Sequence, residues 1–151
     1  MKSLAEFHPR VCGCLDIAPP FQIEVKSSES GVLNLFVSDK TGDMRPIYSP
    51  EDPMKDMPGV LERLSKTRGR IVCLFGFGLG YHAEKIIEQI GNVNIVVLYE
   101  AHPAILKEAM RHLDLTRVFS HRHVRMVVGR PVELNPLLND ERDILFAGDK
   151  H

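Results

Sequence analysis

The spacing of apolar and polar residues changes character near residue 68. Upstream of it, apolar runs are broken by turn-forming residues. Residues 1–30 are mixed, and Pro19-Pro20 and the polar stretch 26–31 interrupt any period, so they read as a loosely ordered lead-in with one short strand near 21–25. Residues 32–37, Val-Leu-Asn-Leu-Phe-Val, are apolar and β-prone. Asp39-Lys40-Thr41-Gly42-Asp43 then supplies turn chemistry before residues 45–48, which is the signal of a β-hairpin. Asp52-Pro53 marks a helix start, with Met54, Met57, Leu61 and Leu64 recurring every three to four residues on one face. Pro58-Gly59 inside that run requires the helix to kink or to begin late.

From Ile71 onward, short apolar runs alternate with amphipathic segments, the signature of βαβ units and a parallel sheet. Strands are expected at 71–75, 94–99, 124–128 and 143–147. Between them, residues 81–89 form a helix burying Ala83, Ile86, Ile87 and Ile90, and residues 103–113 form one burying Ile105, Leu106, Ala109, Met110 and Leu113. A short helix covers 132–138. Right-handed crossovers order these strands 3-2-1-4, which leaves a ligand crevice where the chain reverses direction beside the first strand. The expected architecture is therefore α/β: a Rossmann-like, doubly wound half over residues 69–151, with an amino-terminal β-hairpin and helix cap over residues 1–68, packed as one unit.

The junction of the first strand and its helix reads Phe75-Gly76-Phe77-Gly78-Leu79-Gly80-Tyr81-His82. Gly76, Gly78 and Gly80 suit a tight turn, close backbone approach to a ligand and close helix packing, and the free N–H groups at the helix start favour an anion or a polar group. Glu100 ends the second strand 20 residues after Gly80, where its carboxylate can accept from two ribose hydroxyls. The spacing is GxGxG, with Tyr81 where a dinucleotide fingerprint has its third glycine, which favours an adenosylmethionine-type loop over a nicotinamide one. The alternative is that the glycines only let helix and strand pack closely, and that Glu100 is a solvated loop acid. Tyr81 and His82 would stand at the mouth of the crevice, with His82 as acid, base or phosphate partner, or else only packing the first helical turn.

These motifs resemble the motility accessory factors, bacterial proteins that glycosylate flagellin with nonulosonic sugars. The resemblance runs from about Gly31 to Gly129 and rests on Tyr48-Ser49-Pro50-Glu51-Asp52-Pro53, on Phe75 to His82 and on Tyr99-Glu100. Ala101-His102-Pro103 departs from the proline-rich sequence that follows the acid in that family, and Pro58-Gly59 from its continuous helix. The resemblance implies an accessory, nucleotide-binding-like amino-terminal domain with a methyltransferase-like fold. In the family a separate glycosyltransferase domain follows. Flagellin and a nucleotide-activated sugar are then partners of the full-length protein, the bound molecule at the loop being adenosylmethionine or a sugar nucleotide, and this chain alone is expected not to transfer sugar. A directly acting adenosylmethionine-dependent methyltransferase and a ligand-free interaction domain are the competing expectations.

Composition narrows the field further. With 151 residues, 44% of them hydrophobic, the chain can bury a core without a metal or disulfides. Lys+Arg and Asp+Glu stand at 19 and 20, which argues against gripping a nucleic-acid backbone. No signal-type or membrane-length apolar stretch is present, and three cysteines without framework spacing suit a cytoplasmic protein. Cys73 reads as a small core side chain. His8, Cys12 and Cys14 lack the fourth ligand and the spacing of a zinc site and read as part of a flexible leader. Arg117, His121, Arg122, His123, Arg125 and Arg130 form a basic cluster that can draw an anionic sugar nucleotide or acidic surface, or act as a solvated rim. The last strand would leave an unpaired edge, so self-association into a homo-oligomer is expected.

Overall fold

The computed structural model describes residues 5–6, 8–15, 19–66, 71–89 and 95–130. The chain is α/β, with a three-stranded antiparallel sheet followed by a three-stranded parallel one. Its elements are α1 (Pro9–Cys12), β1 (Ile23–Ser27), β2 (Leu33–Ser38), β3 (Met44–Pro46), α2 (Met57–Lys66), β4 (Ile71–Phe75), α3 (Tyr81–Gln89), β5 (Ile95–Glu100), α4 (Pro103–His112), α5 (Thr116–Phe119) and β6 (Val124–Val128).

The first sheet is ordered β1-β2-β3, with Val25 opposite Leu35 and Phe36 opposite Pro46. Its hairpin turn is built by one carboxylate. Asp39 accepts from the N–H groups of Thr41 (2.9 Å) and Asp43 (3.1 Å) and from the Thr41 hydroxyl (2.6 Å), and Arg45 Nε donates to it at 2.7 Å. The Thr41 hydroxyl and the Arg45 guanidinium hold the Asp39 carboxyl well below the usual carboxylate range. Helix α2 begins late, at Met57, which leaves Pro58 in the first turn where its missing N–H costs nothing. Before it, Asp52 Oδ1 caps the N–H of Met54 at 2.9 Å in a separate turn.

In the second sheet β4, β5 and β6 are all parallel, in that order, with Cys73 level with Val97 and Val97 level with Arg125. This agrees with the strands expected at 71–75, 94–99 and 124–128, although Asn94 lies outside the described residues. So do Ile90, the helix expected at 132–138 and the strand expected at 143–147. All six residues of β5 are buried, because it is the middle strand and both of its faces are covered. One face carries Val96, Leu98, Val124, Met126 and Val128 against Ala83, Ile86 and Ile87 of α3, Ile105, Leu106 and Ala109 of α4, and Val118 and Phe119 of α5. Leu35 of β2 belongs to the same cluster, so one core serves both sheets. On the other face Ile95, Val97, Tyr99 and Val127 cluster with Ile71.

Two expectations are corrected. The segment around residues 8–15 is not a flexible leader: His8, Val11 and Leu15 are buried, and Val11 and Leu15 join the main core. A helix of four residues has too few apolar positions to show a period, so only its packing reveals it. Cys73 is exposed rather than a core side chain. Side chains alternate along β4, so Val72 and Leu74 pack on the core while Cys73 and Phe75 face the other way, Phe75 with 67% exposure.

His8 links α1 to the core through a hydrogen bond of 3.1 Å between Nε2 and the Phe119 carbonyl. Burial lowers its pKa from 6.5, outweighing that hydrogen bond. Because the folded value lies below the unfolded one, the neutral ring's contribution is present above about pH 6.5 and is lost as pH falls through the folded value. Urea unfolding of the wild-type chain is therefore expected to show lower stability at pH 5 than at pH 7, and His8→Gln is expected to flatten part of that slope. An identical slope in the variant would remove His8 as a source.

Candidate functional site

The loop between β4 and α3 is held by its backbone geometry. Gly76, Gly78 and Gly80 all have positive φ, at 85°, 55° and 85°. At Gly80 the need for glycine is doubled, because a Cβ would stand 2.8 Å from Phe77 Cζ and 2.9 Å from Leu115 Cδ2. Phe77 and Leu79 are buried between the glycines, and the Phe77 ring stacks on Phe119 with centroids 6.0 Å apart. The loop is thus anchored through both of its large side chains, with its N–H groups gathered at the start of α3.

Those N–H groups are taken by the protein's own side chains. Glu100 ends β5 with 4% exposure, and its Oε2 accepts from Phe77 N–H at 3.0 Å and Gly78 N–H at 3.3 Å. Its Oε1 accepts from His102 N–H at 3.0 Å. The third loop donor, Leu79 N–H, bonds to the Tyr48 hydroxyl at 2.7 Å. A Cβ on Gly78 would lie 2.1 Å from that same hydroxyl oxygen, so the close approach this glycine permits is to Tyr48.

Tyr48 comes from the segment that follows β3, and Asn34 of β2 fixes it. Asn34 is fully buried. Its Oδ1 accepts from Tyr48 N–H at 3.3 Å, and its Nδ2 donates to the carbonyls of Tyr48 (3.3 Å) and Ser49 (2.9 Å). Burial first, with the Tyr81 phenol and the Glu100 charge adding to it, pushes the Tyr48 hydroxyl up to about 12, so it stays protonated at any ordinary pH. His82 stacks on Tyr48 with centroids 6.0 Å apart and planes 15° apart, and burial lowers its pKa. Tyr81 leans on the same ring at 5.7 Å and donates its hydroxyl to the Leu33 carbonyl at 2.9 Å.

The structure therefore brings together all six residues singled out in the sequence, Gly76, Gly78, Gly80, Tyr81, His82 and Glu100. It gives them partners within the chain. Glu100 is a buried acceptor for the loop rather than a solvated acid, and Tyr81 and His82 wall in Tyr48. Tyr48 and Asn34 were not recognised from the sequence as part of the site. The available signal was an asparagine in the middle of an apolar strand, which, once buried, has to find hydrogen-bond partners.

The other candidates lie elsewhere. No three of the described His, Cys, Asp and Glu residues come together as a metal group. The basic cluster is divided: Arg130 follows the carboxyl end of β6, whereas Arg117, His121, Arg122 and His123 precede its amino end and Arg125 lies on the strand. Since the strands are parallel, that amino end is the edge of the sheet opposite the glycine loop. No helix among the described residues is long and apolar enough to cross a membrane. Compared with protein families, curated proteins and solved structures, the chain gives no match in any of the three.

The bonding pattern makes Glu100 and Tyr48 testable as structural acceptors. In Glu100→Gln only one amide atom can accept, so His102 N–H or the loop pair is left facing a donor, at an expected cost of about 1–3 kcal/mol. Tyr48→Phe leaves Leu79 N–H without its acceptor and is expected to cost about 1–2 kcal/mol. Chemical denaturation measures both, and wild-type stability in both variants would rule out the acceptor role.

Proposed function

We propose that this chain is an accessory domain that binds no nucleotide at its glycine loop and acts by holding and presenting partners. The observation that carries this reading is the occupation of three consecutive loop N–H groups, Phe77, Gly78 and Leu79, by Glu100 and Tyr48. An adenosylmethionine or sugar-nucleotide group at this place would have to displace two acceptors already fixed in position. Both oxygens of Glu100 already accept from backbone N–H groups and the residue is 4% exposed, so a ribose would have to compete with those donors for it.

In this proposal the parallel sheet is one half of a Rossmann-like, methyltransferase-like fold in the order 3-2-1-4, with residues 143–147 as the strand beside β4. Parallel β4, β5 and β6 in sequence order support it. The resemblance to motility accessory factors supports placing the domain in flagellin glycosylation in the cytoplasm, where the full-length protein would meet flagellin and an activated sugar. The free thiols of Cys12 and Cys73 suit that compartment. Sugar transfer would then belong to a different domain.

Calorimetric titration with adenosylmethionine, adenosylhomocysteine and a cytidine-activated nonulosonic sugar tests the reading. Wild-type chain is expected to give no saturable heat with any of the three at millimolar ligand. Saturable binding that Tyr48→Phe strengthens would show that the loop is a ligand site merely covered by Tyr48, and would favour the methyltransferase alternative. Gly78→Val does not serve here, because its side chain collides with Tyr48 whether or not a ligand binds.

A further inference from the structure

The two faces of the parallel sheet are covered differently. The crossovers from β4 to β5 and from β5 to β6 run in the same direction across the sheet, so a common right-handed sense puts both helices on one face. There α3 and α4 pack together with α5. The antiparallel sheet and α1 join that same cluster through Leu35, Val11 and Leu15. Side chains alternate along each strand, so the second face carries Cys73 of β4, Val97 and Tyr99 of β5, and Arg125 and Val127 of β6. Among the described residues, the apolar cluster on that face is made of the sheet alone.

The second face is nevertheless withdrawn from water at its centre. Val97 has 0% exposure and Val127 has 8%. The two residues level with Val97 do not close over it. Cys73 is small and itself exposed, and Arg125 directs Nη1 back along its own chain to the carbonyls of Arg122 (2.8 Å) and Val124 (3.1 Å). A bare sheet face leaves its central side chains in contact with water, so their burial calls for a further layer over β5 and β6. That layer stops short of the outer part of β4, where Cys73 and Phe75 are exposed.

We propose that this second face is a docking surface for the chain's own residues 131–142, which pack across it over Val97 and Val127. Residues 131–151 follow β6 directly and number 21, whereas no other run outside the described residues exceeds five. Runs 67–70 and 90–94 are tied at both ends, and the short runs beside α1 adjoin a helix docked on the opposite face. The composition of the segment matches the surface. Val132, Leu134, Leu137 and Leu138 supply apolar groups, and Glu133, Asp140 and Glu141 supply carboxylates for Arg125, the one charged side chain that the three strands direct to this face. The docking is independent of how the glycine loop is used and of whether residues 143–147 pair with β4.

Methyl NOE spectra of the full 151-residue chain test the proposal. Cross-peaks are expected from the Val97 and Val127 methyls to those of Leu134, Leu137 or Leu138. They are expected to remain intramolecular when isotope-labelled and unlabelled chains are mixed. In the double variant Leu137→Asp/Leu138→Asp these cross-peaks are expected to be lost, the Val97 methyl shifts to move and the binding of a hydrophobic dye to rise. Wild-type cross-peaks of Val97 confined to residues 1–130, or found only between different copies, would overturn the proposal whether or not the double variant folds. A folded double variant with unchanged Val97 methyl shifts would overturn it as well.

Discussion

The carboxylate of Glu100 is the point on which the site depends. A buried carboxylate is tolerated only when its oxygens find donors, and a glycine loop at a helix start has N–H groups that must find acceptors. Here each requirement meets the other: three backbone N–H groups, from Phe77, Gly78 and His102, converge on one side chain at 4% exposure. The end of β5, the turn after β4 and the entry to α4 are joined through that single group. In a nucleotide-type crevice the same donors and the same acid would face a ligand from two sides.

Tyr48 extends this arrangement to the amino-terminal sheet. Its hydroxyl satisfies the next loop donor, Leu79 N–H, and its ring is held between Asn34's backbone clamp and the side chains of Tyr81 and His82. Tyr81 ties back to Leu33 of β2. The antiparallel sheet is thus attached to the parallel one at the place where a ligand-binding domain would keep its opening. The two sheets therefore share both one core and one polar clasp.

The two ends of the parallel sheet differ in how their polar groups are used. At the carboxyl end, donors and acceptors are matched inside the chain and withdrawn from solvent. At the amino end, the turn of His121, Arg122 and His123 is partly exposed, and its internal bonds use Arg122 Nε–H and the His123 backbone N–H as donors and one imidazole nitrogen of each histidine as acceptor.

Much of the fold was legible because the forces that set it are local or periodic. Asp39, Thr41, Gly42 and Asp43 lie within a few residues of one another and close their turn by themselves. The parallel strands announced themselves because a middle strand covered on both faces must be largely apolar, as β5 is from Ile95 to Leu98. Helices α3 and α4 showed their stripes at Ala83, Ile86 and Ile87 and at Ile105, Leu106 and Ala109, each of which is buried. The docking of α1 was illegible because Val11 and Leu15 alone make no period, and the exposure of Cys73 because an apolar run does not tell which face of a strand is covered. By itself, then, the sequence determined the elements other than the short helices α1 and α5, the parallel order of three strands and the six residues that gather at the loop. Only the tertiary structure decided what that loop holds, since Asn34, Tyr48 and Glu100 come from separate elements and hydrogen bonds across such distances in the chain leave no spacing to read.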